Sequence, residues 1–425
     1  MSYDFSEFGS HLGCGSGIEE LMDDLGNALA SGDENIKMLG GGQPARIAEV
    51  DAIWQKRLEE LIEESGGLDR ALTSYDPPQG NSRFLTGLAK LFKDHFGWDI
   101  TSDNIAVTAG GQTAFFMLFN LLAGKMSDGG RRKILLPLAP EYIGYANQGV
   151  DGCVFEAVRP VIEETGPHEY KYRVDFDSLE VTDEVAAICA SRPTNPTGNV
   201  LTDNETAKLS ALAKEHGIPL ILDNAYGAPF PGIIFTDAKP FWEPHVILTY
   251  SLSKLGLPGT RTGIVIGPPE IIRAVRSMSA IIGLANPSTG QQILAPLIES
   301  GEVLKMATDL VKPYYEAKCK LARDTAAEVM GDRFEWRMHR SEGALFLWFW
   351  FPGLPITSKQ LYQRLKERGV LVIPGEYFFF GEDLGDWPHR DECIRVSYAM
   401  DEDTVRDGLA IIAEEVAKAF TQMDL

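Results

Sequence analysis

Between residues 105 and 266, short and nearly unbroken apolar runs alternate with longer amphipathic stretches. The runs at 105–108, 134–136, 185–189, 219–222, 246–249 and 264–266 consist mainly of Ile, Val, Leu and Ala. A strand apolar on both faces cannot present either face to water, so it belongs in a sheet covered on both sides. Between two of these runs, residues 202–216 carry a capping box, Thr202 with Glu205, and set Leu209, Leu212 and Ala213 along one helical face. Strands alternating with helices predict an α/β domain with a mostly parallel central sheet. The last third reads differently: a strand at 344–350, a helix at 358–368, strands at 370–373 and 393–398, then a helix with Val405, Leu409, Ile412 and Val416 on one face. That order predicts a smaller α+β domain. The expected division is a large domain at 46–310, a small domain at 311–425, and an N-terminal segment, 1–45, packing with the small domain.

Composition narrows the partners. Lys and Arg total 39 against 61 Asp and Glu, a net charge of −22 over 425 residues. Such a chain repels phosphate backbones and anionic bilayers, so neither nucleic acid nor membrane is an expected partner. No apolar run reaches the roughly 18 residues of a membrane-spanning helix, and residues 1–7 lack the basic and apolar blocks of a secretory leader. Cys14, Cys153, Cys189, Cys319 and Cys393 are scattered, odd in number and without a Cys-x-x-Cys pair. That pattern argues against a disulfide framework and against a metal site. The expectation is a reduced, cytoplasmic, globular protein.

Several motifs sit where the predicted strands end. In Tyr250-Ser-Leu-Ser-Lys254-Leu-Gly-Leu-Pro-Gly-Thr-Arg261, a lysine follows a buried strand within a Ser/Gly-rich turn. Such a lysine is a candidate nucleophile if its surroundings lower its pKa, and Ser251, Ser253 and Arg261 are groups that bind phosphate. Asp223 ends another buried strand, where an ionised carboxylate needs a partner, and Tyr226 follows three residues later. The rigid loop Ser191-Arg-Pro-Thr-Asn195-Pro-Thr-Gly198 offers an amide from Asn195. In Thr108-Ala-Gly-Gly-Gln112, a glycine-rich turn opens a helix, so backbone amides at Gly111 and Gln112 can receive phosphate. Tyr142 can stack on a planar ring, and Arg395, inside a strand of the second domain, is a natural clamp for a carboxylate. Taken singly, each has an ordinary structural explanation: a solvated turn, a hydrogen-bonded strand-end Asp, a core tyrosine.

Their order removes that explanation. The combination resembles the fold-type I pyridoxal-phosphate aminotransferases from about Leu39 to the C-terminus. Longer stretches, among them 137–145, 191–200, 223–235, 251–261 and 359–370, resemble members that act on valine and pyruvate. The resemblance implies pyridoxal 5′-phosphate as cofactor and a large cofactor-binding domain. It also implies ping-pong exchange between a small aliphatic amino acid (valine, alanine, 2-aminobutyrate) and a 2-oxo acid (pyruvate, 3-methyl-2-oxobutanoate). Lys254 would join the cofactor's aldehyde and act as acid and base. Asp223 would pair with the pyridine nitrogen, Asn195 and Tyr226 would bind the 3-hydroxyl oxygen, and Tyr142 would stack. Gly111, Gln112, Ser251, Ser253 and Arg261 would hold the phosphate, with Tyr75 reaching it from the second subunit of a homodimer that shares its active sites. Arg395, Asn195 and the Gly42 backbone would take the substrate carboxylate. A lyase or synthase on the same scaffold, such as a carbon–sulfur β-lyase, shares all the cofactor residues. A non-catalytic regulator would need a DNA-binding module, for which the acidic residues before Leu39 are too few.

Overall fold

The computed structural model describes residues 3–13, 15, 19, 23, 24, 26, 35–381 and 384–421. Cys14 lies outside them. The six expected apolar runs lie in the large sheet, in the order Ile105–Thr108, Gly263–Ile266, Val246–Ser251, Leu220–Asp223, Val185–Ser191 and Arg131–Leu136, to which the structure adds two strands not expected, Gly124–Lys125 and Phe155–Ala157, both paired to Arg131–Leu136. Val246–Ser251, Leu220–Asp223, Val185–Ser191, Arg131–Leu136 and Phe155–Ala157 run parallel, and the antiparallel pairings lie toward the two edges. Helix Asp203–Glu215 starts at the predicted capping box: Thr202 Oγ1 accepts from the Glu205 N–H, and a Glu205 carboxylate oxygen accepts from the Thr202 N–H at 2.8 Å. It packs Leu209 and Ala213 against strands Val185–Ser191 and Leu220–Asp223.

The second sheet is less contiguous in sequence than expected. Its order is Ile373–Pro374, Cys393–Ser397, Phe346–Trp350, Arg337–His339, Glu169–Arg173 and Val161–Gly166. The last two strands form a hairpin within the 46–310 range, yet Glu169–Arg173 pairs in parallel with Arg337–His339. The hairpin carries charges along both strands (Glu163, Glu164, Lys171, Arg173), which hid its strand character from an apolar-run criterion. The expected strand at 370–373 divides: Val370–Leu371 pairs with Lys37–Met38, while Ile373–Pro374 joins Cys393–Ser397. Gly408 on the last helix lies so near Leu39 that an added Cβ would come within 2.3 Å of it.

A buried ion pair fastens this hairpin to the large sheet's loops. Lys171 Nζ meets Glu342 Oε2 and donates to the Val200 carbonyl at 3.0 Å, and Glu342 Oε2 accepts from the Val200 N–H at 3.1 Å. Both side chains are shielded from water, so removal of one leaves the other as an uncompensated buried charge. Lys171→Met is expected to destabilise the chain by about 3–5 kcal/mol in denaturant unfolding. The double variant Lys171→Met/Glu342→Leu recovers much of that loss; a single-variant cost below about 1 kcal/mol would count against the pair as a fastener.

Candidate active site

The parallel register aligns the strand ends. Ser191 lies beside Asp223, Asp223 beside Thr249, Ser251 beside Gly263, and Gly263 beside Thr108. Ligands of open α/β sheets bind outside the carboxyl ends of the strands, and there a cavity of about 380 Å³ opens. Asp223 sits at its floor. Its Oδ2 accepts from the Tyr145 hydroxyl at 2.6 Å, and its Oδ1 from the Ala225 N–H at 2.8 Å and Thr249 Oγ1 at 3.2 Å. Burial raises this carboxyl's pKa, while these hydrogen bonds and nearby Lys254 hold it down.

Beyond strand Val246–Ser251 the chain turns through Leu252–Leu255, with Ser251 Oγ accepting from the Ser253 N–H at 3.2 Å. Lys254 is thereby turned into the cavity, where its Nζ donates to the Gly42 carbonyl and lies 5.3 Å from the Tyr226 ring centroid. Loss of surrounding water lowers its pKa to about 8, with Arg395 and Arg261 pushing the same way and Asp223 opposing. Helix Gly111–Leu122 begins at the same wall. Its first N–H groups have no partners within the helix and therefore form an anion site. Gly110 has φ of 91°, and a Cβ there would fall 2.2 Å from the Arg261 guanidinium, so glycine is what allows Arg261 to close over the turn.

Arg395 enters from the second sheet. Its Nη1 donates to Asn195 Oδ1 and its Nη2 to the Gly40 carbonyl, both at 2.6 Å, and the Phe346 ring lies 4.1 Å beneath it. The buried Nε has no protein partner, which leaves the guanidinium with unused capacity for an anion. Burial lowers its pKa to about 10, still charged at neutral pH. Lys254 and Arg395 are thus held by carbonyls two residues apart on one strap, Gly40–Gly42.

Gly42, Gly111, Gln112, Tyr142, Asn195, Asp223, Tyr226, Ser251, Ser253, Lys254, Arg261 and Arg395 all line this cavity. Tyr75 does not; its side chain is 84% exposed. Sequence reasoning missed Tyr145, Thr249 and Ile373. Tyr145 was within reach, because it follows Tyr142 by one turn and its hydroxyl answers the need of Asp223 for a donor. Ile373 carries no motif; only pairing with Arg395 across the sheet brings it to the wall.

A lysine of lowered pKa, a strand-end carboxyl, a helix start closed over by an arginine and a buried arginine with an unused Nε share one cavity, the kinds of group a pyridoxal-phosphate enzyme acting on amino acids needs. Residues 42–412 match the family model for aminotransferases of class I and II, and the chain belongs to that family. It is 47% identical to the valine–pyruvate aminotransferase of Escherichia coli K12 over 98% of this chain and 99% of that one. Among solved structures, a putative amino-acid aminotransferase from Psychrobacter arcticum superposes with a TM-score of 0.95 at 44% identity, covering 99% of this chain and all of the other. The valine–pyruvate aminotransferase of Salmonella typhimurium LT2 superposes with a TM-score of 0.88 at 45% identity, covering 96% and 100%. The chain is a pyridoxal-phosphate-dependent transaminase, and the lyase alternative falls away.

The lowered pKa of Lys254 has a direct consequence. With a value of about 8, about a tenth of the side chain is the neutral amine at pH 7, several hundred times more than for an ordinary lysine. In the cofactor-free chain, addition of a simple aldehyde at Lys254 is expected to accelerate with pH and level off above about 8. A midpoint near the ordinary lysine value of about 10.4 would contradict the electrostatic reading of the cavity.

Proposed function

We propose that the chain exchanges amino groups between small aliphatic amino acids (valine, alanine, 2-aminobutyrate) and 2-oxo acids (pyruvate, 3-methyl-2-oxobutanoate) by a ping-pong cycle. The observation that carries this is the shared strap: a weakly basic lysine and an arginine suited to a carboxylate are held by carbonyls two residues apart, within reach of the α-amino and α-carboxylate groups of one substrate. Bound pyridoxal phosphate supplies an aldehyde and a protonated ring that draws electrons from the substrate α-carbon. Lys254 would hold the cofactor's aldehyde and, once the substrate's amino group had released its Nζ, would carry the α-carbon proton as base and acid. Asp223, which accepts hydrogen bonds from three donors, would pair with the ring nitrogen. Asn195 and Tyr226 hydrogen-bond the 3-hydroxyl oxygen, and Tyr142 stacks on the ring. Gly111, Gln112, Ser251, Ser253 and Arg261 hold the phosphate. Arg395 binds the substrate carboxylate with help from Asn195 and the Gly42 backbone.

The aliphatic preference is supported by the named relatives and by the chain's own residues. Ile373 lines the cavity beside Arg395, and no Lys or Arg occurs between Arg276 and Lys305 to receive a second carboxylate. A distal carboxylate without a cation is costly to bury. Valine and alanine are expected to convert the visible absorption of the cofactor to the pyridoxamine form with pyruvate regenerating it, and Lys254→Ala to lose turnover while still binding cofactor. Aspartate or glutamate proving the better donors would overturn the substrate assignment, and near-normal turnover by Lys254→Ala would overturn the mechanism.

A homodimer completes the reading. Leu72, Tyr75, Ile281 and Leu284 are all more than half exposed, an apolar surface that a second copy would cover. Tyr75 then becomes a phosphate ligand of the neighbouring site. The free thiols at Cys153, Cys189, Cys319 and Cys393 suit a reducing compartment, and we assign the cytoplasm. Lys254→Ala and Tyr75→Ala chains, refolded together, give about half hybrid dimers, each with one intact site if Tyr75 acts across the interface. Activity is expected to rise well above either parent; no recovery in verified hybrids would refute the shared site.

A further inference from the structure

Beneath the cavity floor lies a second carboxyl group that the reaction leaves without a role. Glu141 is 1% exposed. Its Oε2 accepts from the Ser191 N–H at 2.9 Å, its Oε1 accepts from the Tyr142 N–H at 2.9 Å, and Oε1 lies 2.5 Å from Ser191 Oγ. Ser191 Oγ lies 3.4 Å from the Tyr145 hydroxyl, which itself donates to Asp223 at 2.6 Å. Four side chains therefore form one chain of hydrogen bonds ending on the carboxylate at the floor.

The titratable groups facing Glu141 are Asp223 at the end of Leu220–Asp223, Cys189 within Val185–Ser191, and Tyr145. Two buried carboxyls so coupled do not both ionise readily. Burial raises the Asp223 carboxyl as well, but Asp223 is the one with Lys254 nearby to oppose the rise. Burial raises the Glu141 carboxyl to about 7, with Asp223 adding to the rise and the bonds from Ser191 and Tyr142 opposing it. The state of Glu141 decides where the Ser191 hydroxyl points. Against an ionised Glu141 it must donate to Oε1. Against a protonated one it accepts from Glu141 and is free to donate to Tyr145, and hydrogen bonds in such a chain strengthen one another.

We propose that Glu141 is a positioning residue: when it carries the proton it donates to Ser191 Oγ, turns the Ser191 hydroxyl onto Tyr145, and so fixes the Tyr145 hydroxyl on Asp223. The link to catalysis rests on the reading of Asp223 as the partner of the cofactor's ring nitrogen.

Infrared spectroscopy of the full chain freed of cofactor follows the carbonyl stretch of protonated carboxyl groups from about pH 5 to about pH 9. The expected result is a band that fades with a midpoint near 7, is missing from Glu141→Gln and is retained in Ser191→Ala. In the cofactor-loaded enzyme, Ser191→Ala and Tyr145→Phe are each expected to shift the pH midpoint of the cofactor's visible absorption by about one unit. They should also lower kcat about tenfold with KM for the amino acid nearly unchanged, the size of one hydrogen bond lost from a buried charge. Absence of a Glu141 band across this range overturns the protonated state. Wild-type midpoints in both Ser191→Ala and Tyr145→Phe overturn the relay. An Asp223→Asn enzyme with unchanged absorption overturns the Asp223 reading and the catalytic link with it, while the infrared titration, made without cofactor, still reports on Glu141 separately.

Discussion

A carboxyl group held at the end of a fully buried strand governs the arrangement around it. Leu220, Ile221 and Leu222 are enclosed in the sheet, so Asp223 meets solvent only through the cavity. A carboxylate so placed must be compensated or give up its charge. The parallel register meets that need by setting Thr249 directly beside it, and the turn after Tyr142 brings the Tyr145 hydroxyl from above. Parallel pairing also sets Ser191 beside Asp223, and the antiparallel pairing of the next strand sets Ser251 beside Gly263, so cavity-lining groups of several distant segments converge.

The second sheet completes the site rather than merely covering it. Arg395 crosses from Cys393–Ser397 to Asn195 on the large sheet's loop, and the Lys171–Glu342 pair clamps Val200 a few residues further along that loop. The strap at Gly40–Gly42 runs between the two sheets and offers a carbonyl to each cation. Displacement of one sheet against the other would separate the lysine from the carboxylate clamp, so the geometry for a single amino acid depends on both.

Charge in the cavity runs against charge over the whole. The chain carries −22, yet Lys254, Arg261 and Arg395 gather around one cavity. Fields beyond about 8 Å are largely screened at physiological salt, so these local cations, not the acidic exterior, determine what anion the site accepts. Their mutual repulsion, added to burial, is also what makes Lys254 a usable nucleophile.

The strands of the large sheet were legible because a strand buried on both faces must be apolar throughout, and the strand-end motifs were legible because Lys254, Asp223, Asn195 and Arg395 stand in an order that one cofactor explains. The hairpin Val161–Arg173 was not, since charged residues interrupt its apolar ones and its partner strand lies more than 160 residues away. Nor was the role of Ile373, Thr249, Glu141 or Lys171, each an ordinary residue type with no local signal. Local patterning determined which segments are strands and helices and which residues can bear chemistry. Tertiary structure alone decided which donors face each buried carboxyl group and which cation stands beside which carbonyl, because those depend on burial and on pairings between residues far apart in the chain.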